Sequence, residues 1–170
     1  MAGLPGAGKS AVAEALARAM AVPVVSVDPI EAAMWRAGVA RSEPTGLAAY
    51  VVAEVVADGV LALGQSVVVD AVNAVEEARE QWRSLAGRHG VPVAFIEVVC
   101  SDPVLHRMRL EERSRDIAGF LGPTWQDVER RREEFAPWAG DRRLVLDSVI
   151  DLSVNVATAR RFLRPDRSAS

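Results

Sequence analysis

A glycine-rich segment near the start of the chain carries the clearest chemical signal in the sequence. It reads Gly3-Leu4-Pro5-Gly6-Ala7-Gly8-Lys9-Ser10 and fits the pattern G-x-x-x-x-G-K-[ST] of a phosphate-binding P-loop. Glycines let such a loop turn its backbone N–H groups onto phosphate oxygens, and the helix that follows points its positive end at the same anion. The motif predicts that Lys9 binds the β- and γ-phosphates of a nucleotide and that Ser10 binds Mg²⁺.

Lys9 is the only lysine of the chain, and every other Lys-or-Arg position is an arginine. A compact ammonium fits into a closed loop better than the broad, planar guanidinium of arginine does. We therefore expect a local requirement for lysine at this position. The residues of this segment that are predicted to hold ATP are Gly3, Pro5, Gly6, Ala7, Gly8, Lys9 and Ser10.

Two aspartates follow short apolar runs and could complete a phosphate-transfer site. Asp28 follows the run 23–27, and Asp70 follows the run 66–69. Ligands of open α/β sheets bind beyond the carboxyl ends of the strands, where both carboxylates would lie. Asp28 could orient and deprotonate an attacking alcohol, although Asp-Pro-x-Glu is also an ordinary helix N-cap. Asp70 has the position of a Walker-B aspartate, which binds Mg²⁺, usually through water.

The rest of the sequence predicts the elements that would position these groups. Strands are predicted at 23–27, 66–69, 93–99 and 144–146. Helices are predicted at about 9–20, 28–38, 45–63, 75–86, 102–113, 124–135 and 150–162. This alternation is typical of βαβ units. We predict an α/β P-loop NTPase fold of the nucleoside- or nucleotide-kinase type, with a short parallel sheet, helices on both faces and an Arg-rich lid.

The first strand of this fold is expected to be truncated. A P-loop normally joins a strand to a helix, but only Met1 and Ala2 precede Gly3. Either the first strand has been lost, or translation was assigned from an internal methionine. The second explanation is favoured, because unpaired strand edges are costly.

Four segments together resemble the P-loop kinase-like AAA family ATPases, a group similar to polynucleotide kinase, zeta toxin and chloramphenicol phosphotransferase. They are the run Met1–Ser10, a strand ending in Asp28, the run Val67-Val68-Val69-Asp70-Ala71-Val72-Asn73, and Ser101-Asp102-Pro103 before an Arg-rich helix. The resemblance implies that Asp28 accepts the proton of the acceptor hydroxyl. It also implies that Asp70 and Asn73 line the site of phosphoryl transfer, although Asn73 could equally cap the helix that follows it.

The same resemblance implies a lid at about 107–135 whose arginines close over the transferring phosphate. Arg109 and Arg113 are four residues apart, so they share one face of a helix, and they are predicted to bind both the nucleotide and the moving phosphate. The alternative is a solvated helix face with nearby glutamates as partners. Arg130–Arg132 lies among glutamates and is predicted to be such a solvated face.

The acceptor pocket is expected between the helix that follows Asp28 and the helix at 45–63. Its candidate residues are Asp28, Trp35, Arg36, Tyr50 and Asn73. Trp35 and Tyr50 could equally be core residues. Relatives of the polynucleotide kinase type often carry an arginine three residues after the catalytic aspartate, but this chain has Glu31 there. Arg36 or Arg41 could substitute, or the acceptor could lack a phosphate.

Composition sets the remaining expectations. The chain has 170 residues, half of them hydrophobic, and a net charge of −3, so we expect one soluble domain at 1–164, a flexible tail at 165–170 and no nucleic-acid partner. The single Cys100 cannot form an internal disulfide, which favours the cytoplasm. The apolar run at 47–63 contains Glu54 and Asp58 and is not expected to span a membrane. A monomer or a homodimer is expected.

These observations predict an ATP- and Mg²⁺-dependent phosphotransferase that moves the γ-phosphate to a hydroxyl group of a small molecule. Two alternatives remain open. A plain NTPase would hydrolyse ATP without an acceptor and would not need Asp28. A nucleotide-binding module would perform no chemistry, and loss of the first strand favours that interpretation.

Overall fold

The fold is seen in a computed structural model that describes residues 1–116, 123–138 and 140–164, without the side chains of residues 113–116. The strands are β1 (Val24–Ser26), β2 (Val68–Asp70), β3 (Phe95–Val99) and β4 (Arg143–Asp147). The helices are α1 (Lys9–Met20), α2 (Val27–Arg36), α3 (Thr45–Ala62), α4 (Glu76–His89), α5 (Pro103–Asp116), α6 (Trp125–Glu133) and α7 (Leu152–Leu163). The predicted α/β class, with short parallel strands between helices, is confirmed.

The strands form two parallel pairs. β1 pairs with β2, with Val24 opposite Val68 and Ser26 opposite Asp70. β3 pairs with β4 over five residues from the pair Phe95–Arg143 to the pair Val99–Asp147. The register places the ends of β1 and β2 side by side, which brings the two predicted aspartate positions to the same edge.

Met1 and Ala2 lie between the two pairs, in the position of a central strand. The Ala2 N–H donates to the Ile96 carbonyl (2.8 Å), and the Val98 N–H donates to the Ala2 carbonyl (2.9 Å). On the other side, the N-terminal ammonium donates to the Val69 carbonyl. These two residues therefore connect β2 to β3 and lead directly into the glycine-rich segment.

Helices cover both faces of the strands. Alternate residues of a strand point to opposite faces, so each strand contributes side chains to the core on both sides. Ile96 and Val98 of β3 pack with Leu16 of α1 and Ala159 of α7 in one cluster. Phe95 belongs to a second cluster that contains alanines of α3 and aromatic and aliphatic residues of α4. Burial on both faces is typical of parallel strands between layers of helices.

Two predicted helix starts are corrected by the structure. α2 begins at Val27 with Ser26 at its N-cap position, so Asp28 lies in the first turn and is not the cap. Pro29 is tolerated there because the first N–H groups of a helix have no intrahelical partner. The N-cap position of α4 is Val75, and Asn73 has φ 51° and does not cap that helix.

The region predicted as a lid is described only in part. α5 continues to Asp116, three residues beyond its predicted end. α6 begins after a capping box between Thr124 and Asp127, as the sequence predicts, and ends at Glu133. Residues 117–122 of the predicted lid loop and the predicted tail at 165–170 lie outside the described residues.

Candidate active site

The glycine-rich segment forms a tight loop that needs its glycines. Gly3 has φ 130°, and a Cβ atom there would lie 2.2 Å from the carbonyl oxygen of Val98. Gly8 has φ 93° and occupies the N-cap position of α1, where it brings no capping side chain. The first N–H groups of α1 therefore have no side chain of the cap residue as an acceptor, and they point where an anion would bind.

Lys9 lies inside this loop. Its side chain is buried, at 5% exposure, and its ammonium donates to the Leu4 carbonyl across the loop (3.0 Å). The loop thus encloses one compact cation, as expected from the choice of lysine over arginine. Phosphate oxygens of a bound nucleotide would offer this ammonium stronger, charge-assisted hydrogen bonds than a backbone carbonyl does.

Three oxygen-bearing side chains meet beside the loop. The Ser10 hydroxyl donates to Oδ2 of Asp70 (2.7 Å), and the Ser26 hydroxyl lies 3.4 Å from the same oxygen. The other carboxylate oxygen, Oδ1 of Asp70, is buried and has no hydrogen-bond partner within the described part of the chain. A buried carboxylate oxygen in this state is suited to a cation, and Mg²⁺ typically binds one or two carboxylates together with substrate phosphates and water.

Ser10 and Asp70, the two predicted Mg²⁺ ligands, are therefore brought together. Ser26 was not among the predicted residues. The sequence contains a signal for Ser26, which is a hydroxyl residue at the end of an apolar strand. When that strand end is in register with an acidic strand end, the hydroxyl can reach the carboxylate.

Arg109 lies on the other side of the loop, away from Asp70's strand pair. Its guanidinium donates to the Ser148 hydroxyl (2.8 Å) and to the Ser148 carbonyl (3.3 Å). The same guanidinium comes within 3.7 Å of the point where a Cβ atom on Gly8 would lie. Arg109 is thus fixed to the turn after β4, next to the loop. The side chain of its predicted partner Arg113 lies outside the described residues.

A cavity of about 500 Å³ adjoins Arg109 and the loop. It is lined by Gly6, Gly8, Ala11, Val12, Arg109, Ser148, Val149, Ile150, Asp151, Leu152 and Asn155. Buried Asn155 donates to the carbonyls of Asp147 and Ile150 and so holds the turn that forms one wall. The mixture of aliphatic walls and a few fixed polar groups is typical of a small-molecule site.

Asp28 and Tyr50 lie close together on the side of Asp70. Burial raises the pKa of the Tyr50 phenol to about 12; the hydrogen bond from the Asn73 N–H (3.0 Å) opposes this rise, and the charge of Asp28 adds to it. Tyr50 therefore stays protonated at neutral pH. Half-buried Asp28 lies two residues beyond Ser26, at the end of the strand that pairs with β2.

Of the other predicted acceptor residues, Trp35 and Arg36 lie further along α2 than Asp28, and the Asn73 side chain is engaged elsewhere. Trp35 lies two turns further along α2, about 10 Å by helix rise, and its indole N–H donates to Thr45 (3.0 Å). Arg36 is exposed at the last position of α2. Asn73 is fully buried, with its amide bound to the Met1 carbonyl (2.7 Å) and to the Trp82 indole (2.8 Å). Asn73 thus braces the start of the chain in this structure.

Comparison with known families decides the relationship. The AAA_33 family, which is described as an AAA domain, matches residues 1–134 and so includes the loop, both aspartates and the predicted lid helices. The chain belongs to the AAA_33 family. This confirms the expected membership of the P-loop kinase-like group.

Solved structures similar to this AAA_33 protein share its fold. A protein from Chloroflexus aurantiacus J-10-fl superimposes with a TM-score of 0.75 at 23% identity, over 94% of each chain. A gluconokinase from Sinorhizobium meliloti 1021 has a TM-score of 0.67 at 22% identity, over 95% of this chain and 88% of that one. The Mycobacterium tuberculosis APS kinase CysC, solved with AMPPNP and APS, has a TM-score of 0.67 at 17% identity, over 95% and 94%. No curated protein sequence matches this chain significantly.

The predictions from sequence did not include Arg79, a buried arginine that holds together two segments near the site of this AAA_33 protein. Arg79 of α4 is fully buried and donates to four backbone carbonyls, those of Asn73, Ala74, Ala136 and Pro137, at 2.8–3.2 Å. Its guanidinium also stacks 3.7 Å from the centre of the Trp138 ring. Arg79 therefore ties the segment after β2 to the segment after α6.

His106 of α5 supports the loop itself. The ring is buried, and its Nε2 donates to the Pro5 carbonyl (2.8 Å), which fixes the proton on that nitrogen. Nδ1 is buried without a hydrogen-bond partner among the described residues. Burial lowers the pKa of His106, and the positive charges of Arg132, Lys9 and Arg109 contribute in the same direction.

The lowered pKa makes a testable prediction about acid stability. Because the folded state binds the proton more weakly than the unfolded state, the free energy of unfolding should fall as the pH drops below about 6.5. His106→Gln keeps a donor for Pro5 but cannot be protonated. Its stability should fall less steeply with acid, by at most about 1.4 kcal/mol per pH unit relative to the wild type.

Urea unfolding of both proteins at several pH values from neutral to mildly acidic measures this difference. The N-terminal amine of Met1, whose pKa burial lowers to about 6, destabilises both proteins in the same direction and so cancels in the comparison. Parallel stability curves for the two proteins would contradict the assignment.

Proposed function

We propose that this AAA_33 protein is an ATP- and Mg²⁺-dependent kinase that transfers the γ-phosphate to a hydroxyl group of a small molecule. The observation that carries the proposal is the contact between Ser10 of the P-loop and Asp70, with Asp28 at the end of the neighbouring strand. This arrangement supports a phosphate site, a cation site and a carboxylate base along one edge of the paired strands β1 and β2.

The nucleotide would lie across the loop. Its phosphates bind the backbone of Gly3–Ser10 and the ammonium of Lys9, and its base enters the cavity beside Arg109. Arg109 then orients the nucleotide from the Ser148 turn and extends towards its phosphates past Gly8. Ser10 and Asp70 would hold Mg²⁺, which when bound neutralises charge on the β- and γ-phosphates.

Asp28 acts as the general base for the acceptor in the proposed reaction. Its carboxylate accepts the proton of the acceptor hydroxyl as that oxygen attacks the γ-phosphorus, and this keeps the attacking oxygen in line with the leaving group. Tyr50, protonated at neutral pH, contributes an apolar ring and a phenol to the same wall of the pocket. Gluconokinase and APS kinase with this fold support a kinase function without identifying the acceptor for this chain.

Replacing Asp28 with asparagine tests the proposal. The substitution keeps the shape of the side chain and removes its basicity, so the rate of phosphate transfer should fall by about 10²–10⁴-fold. The affinity for ATP, measured by calorimetry, should stay unchanged because Asp28 does not line the nucleotide cavity. Transfer is measured with radiolabelled ATP and a panel of gluconate, hexoses, nucleosides and adenosine phosphosulfate.

The control is Asp58→Asn, the same chemical change in a surface ion pair of α3 with Arg88 and His89. It should leave the transfer rate at the wild-type level. If ATP is hydrolysed equally fast with and without every acceptor, and if Asp28→Asn does not slow it, the protein is an NTPase and the kinase proposal is wrong.

A further inference from the structure

Helix α3 is apolar on the side that faces solvent as well as on the side that faces the core. Its inner face consists of Thr45, Ala49, Ala53 and Ala57, all buried against the rest of the protein. Its outer face carries the larger aliphatic side chains: Val51, Val52, Val55 and Val56 are 41–68% exposed. A helix that is apolar all round is normally buried in a larger structure.

Charges do not interrupt this outer face. α3 contains two acidic residues, Glu54 and Asp58, and no Lys or Arg. Glu54 pairs with Arg88 of α4 (2.7 Å), and Asp58 pairs with His89 of α4 (2.9 Å). Both acidic side chains are therefore directed towards α4, at the margin of the valine face. Depletion of charge is the feature that distinguishes the centre of a protein interface from ordinary surface.

The spacing along the outer face is that of a helix–helix seam. Ala48, Val52, Val55, Gly59 and Ala62 follow one another at intervals of four, three, four and three residues. All five are exposed, and they have the apolar 3–4 repeat of a coiled-coil face. We define these five residues as the α3 seam.

The α3 seam is complementary to itself when a second copy runs antiparallel. With Val55 on a two-fold axis, Val55 of one helix faces Val55 of the other, Val52 lies near Gly59, and Ala48 lies opposite Ala62. The central pair of valines is thus flanked by layers that each contain at least one small residue. A Cβ atom added to Gly59 would meet nothing within 4 Å, so space for a facing side chain is open. Such matching of one patch with itself is what a two-fold interface requires.

The available area is also of the right size. The exposed valines of α3, together with Leu47 and Leu63 at its two ends, present on the order of 600 Å² of surface, compared with roughly 800 Å² per partner in a stable dimer. The rim around the seam would supply the rest.

We infer that two copies of this chain form a two-fold dimer through the α3 seam, with the two helices antiparallel. The inference is independent of the kinase proposal, since the seam contains none of the residues assigned to nucleotide or acceptor. An anionic bilayer is less favourable as the occupant because the seam carries no Lys or Arg and the chain has a net charge of −3.

Val55→Glu tests the dimer, because it places two carboxylates against each other on the axis. The full-length wild type should sediment as a dimer at concentrations between about 1 and about 100 µM. Val55→Glu should sediment as a monomer, with the dimer dissociation constant raised at least about 100-fold. Val104→Glu on α5 is the matched control, since Val104 is 69% exposed and Val55 is 68% exposed, and it should remain a dimer. Equal circular dichroism and melting temperature would show that all three proteins are folded.

Disulfide cross-linking tests the antiparallel register. Val55→Cys should form a disulfide-linked dimer on mild oxidation, whereas Val104→Cys should not exceed the wild type, whose one thiol is Cys100. A monomeric wild type, or a dimer that is unaffected by Val55→Glu, overturns the inference. Binding of a monomeric wild type to phosphatidylglycerol vesicles, lost in Val55→Glu, would also overturn it and would assign the face to a membrane surface.

Discussion

Arg79→Met should lower the free energy of unfolding by about 3–5 kcal/mol. The substitution removes the guanidinium that donates to four backbone carbonyls. The Ala74 carbonyl keeps the Ala136 N–H as a donor, whereas the other three lose the hydrogen bond from Arg79. Methionine fills much of the same volume, so a cavity accounts for little of the loss. Chemical denaturation of the wild type and of the variant measures the difference.

Arg88→Met is the matched control for this effect. Arg88 lies near the end of the same helix, α4, and makes ion pairs with Glu54 and Asp58, but its side chain is 52% exposed. Its removal should cost only about 0.5–1 kcal/mol, because exposed ion pairs contribute little. Equal losses for the two variants would mean that the carbonyl contacts of Arg79 are not the source of its contribution.

The second large effect is expected at Asp70. Asp70→Asn keeps an oxygen that can accept the Ser10 hydrogen bond but removes the negative charge, so the protein should fold normally. Under the proposed function, the rate of phosphate transfer should fall by about 10²–10³-fold at a fixed Mg²⁺ concentration, in the range seen when one electrostatic stabilising group is lost. Higher Mg²⁺ should restore part of the rate, because the defect lies in binding the cation.

Ser26→Ala distinguishes charge from packing at this position. The Ser26 hydroxyl contacts the same carboxylate oxygen, but at the longer distance of 3.4 Å, so its removal should change the rate only a few-fold. Titration of transfer activity with Mg²⁺ for the three proteins gives the comparison. A rate for Asp70→Asn that does not depend on the Mg²⁺ concentration would contradict the assignment of Asp70 to the cation.

The sequence predicts the loop and the elements of the fold well, because these depend on local patterns. Glycine and lysine spacing defines the P-loop, and short valine runs define strands wherever the chain places them. Ser10 and Asp70 follow from the same patterns, since a motif and a strand end each determine one of them. Predictions based on local spacing therefore agree with the structure where a single helix, strand or loop determines the position of the residue.

Residues that act between elements could not be found in the same way. Arg79 is surrounded in the sequence by glutamates and resembles a solvated helix position, yet its partners lie up to 58 residues away. An acidic residue follows Asn73 at the distance that is typical of a helix cap. In the structure Asn73 is instead buried and hydrogen-bonded to Met1 and Trp82. Long-range hydrogen bonds of this kind leave no periodic signal in one sequence.

The division of the strands into two pairs has a consequence for the proposed reaction. The pair β1–β2 carries Asp70 and, just beyond it, Asp28, whereas the turn after β4 carries the Ser148 contact of Arg109. The acceptor and the nucleotide base would therefore be held beside different strand pairs, and the phosphates would lie over Met1 and Ala2 between them. Residues of both pairs pack into the same two apolar clusters. The alignment of attacking oxygen and phosphorus would therefore depend on packing in this shared core as well as on each binding pocket.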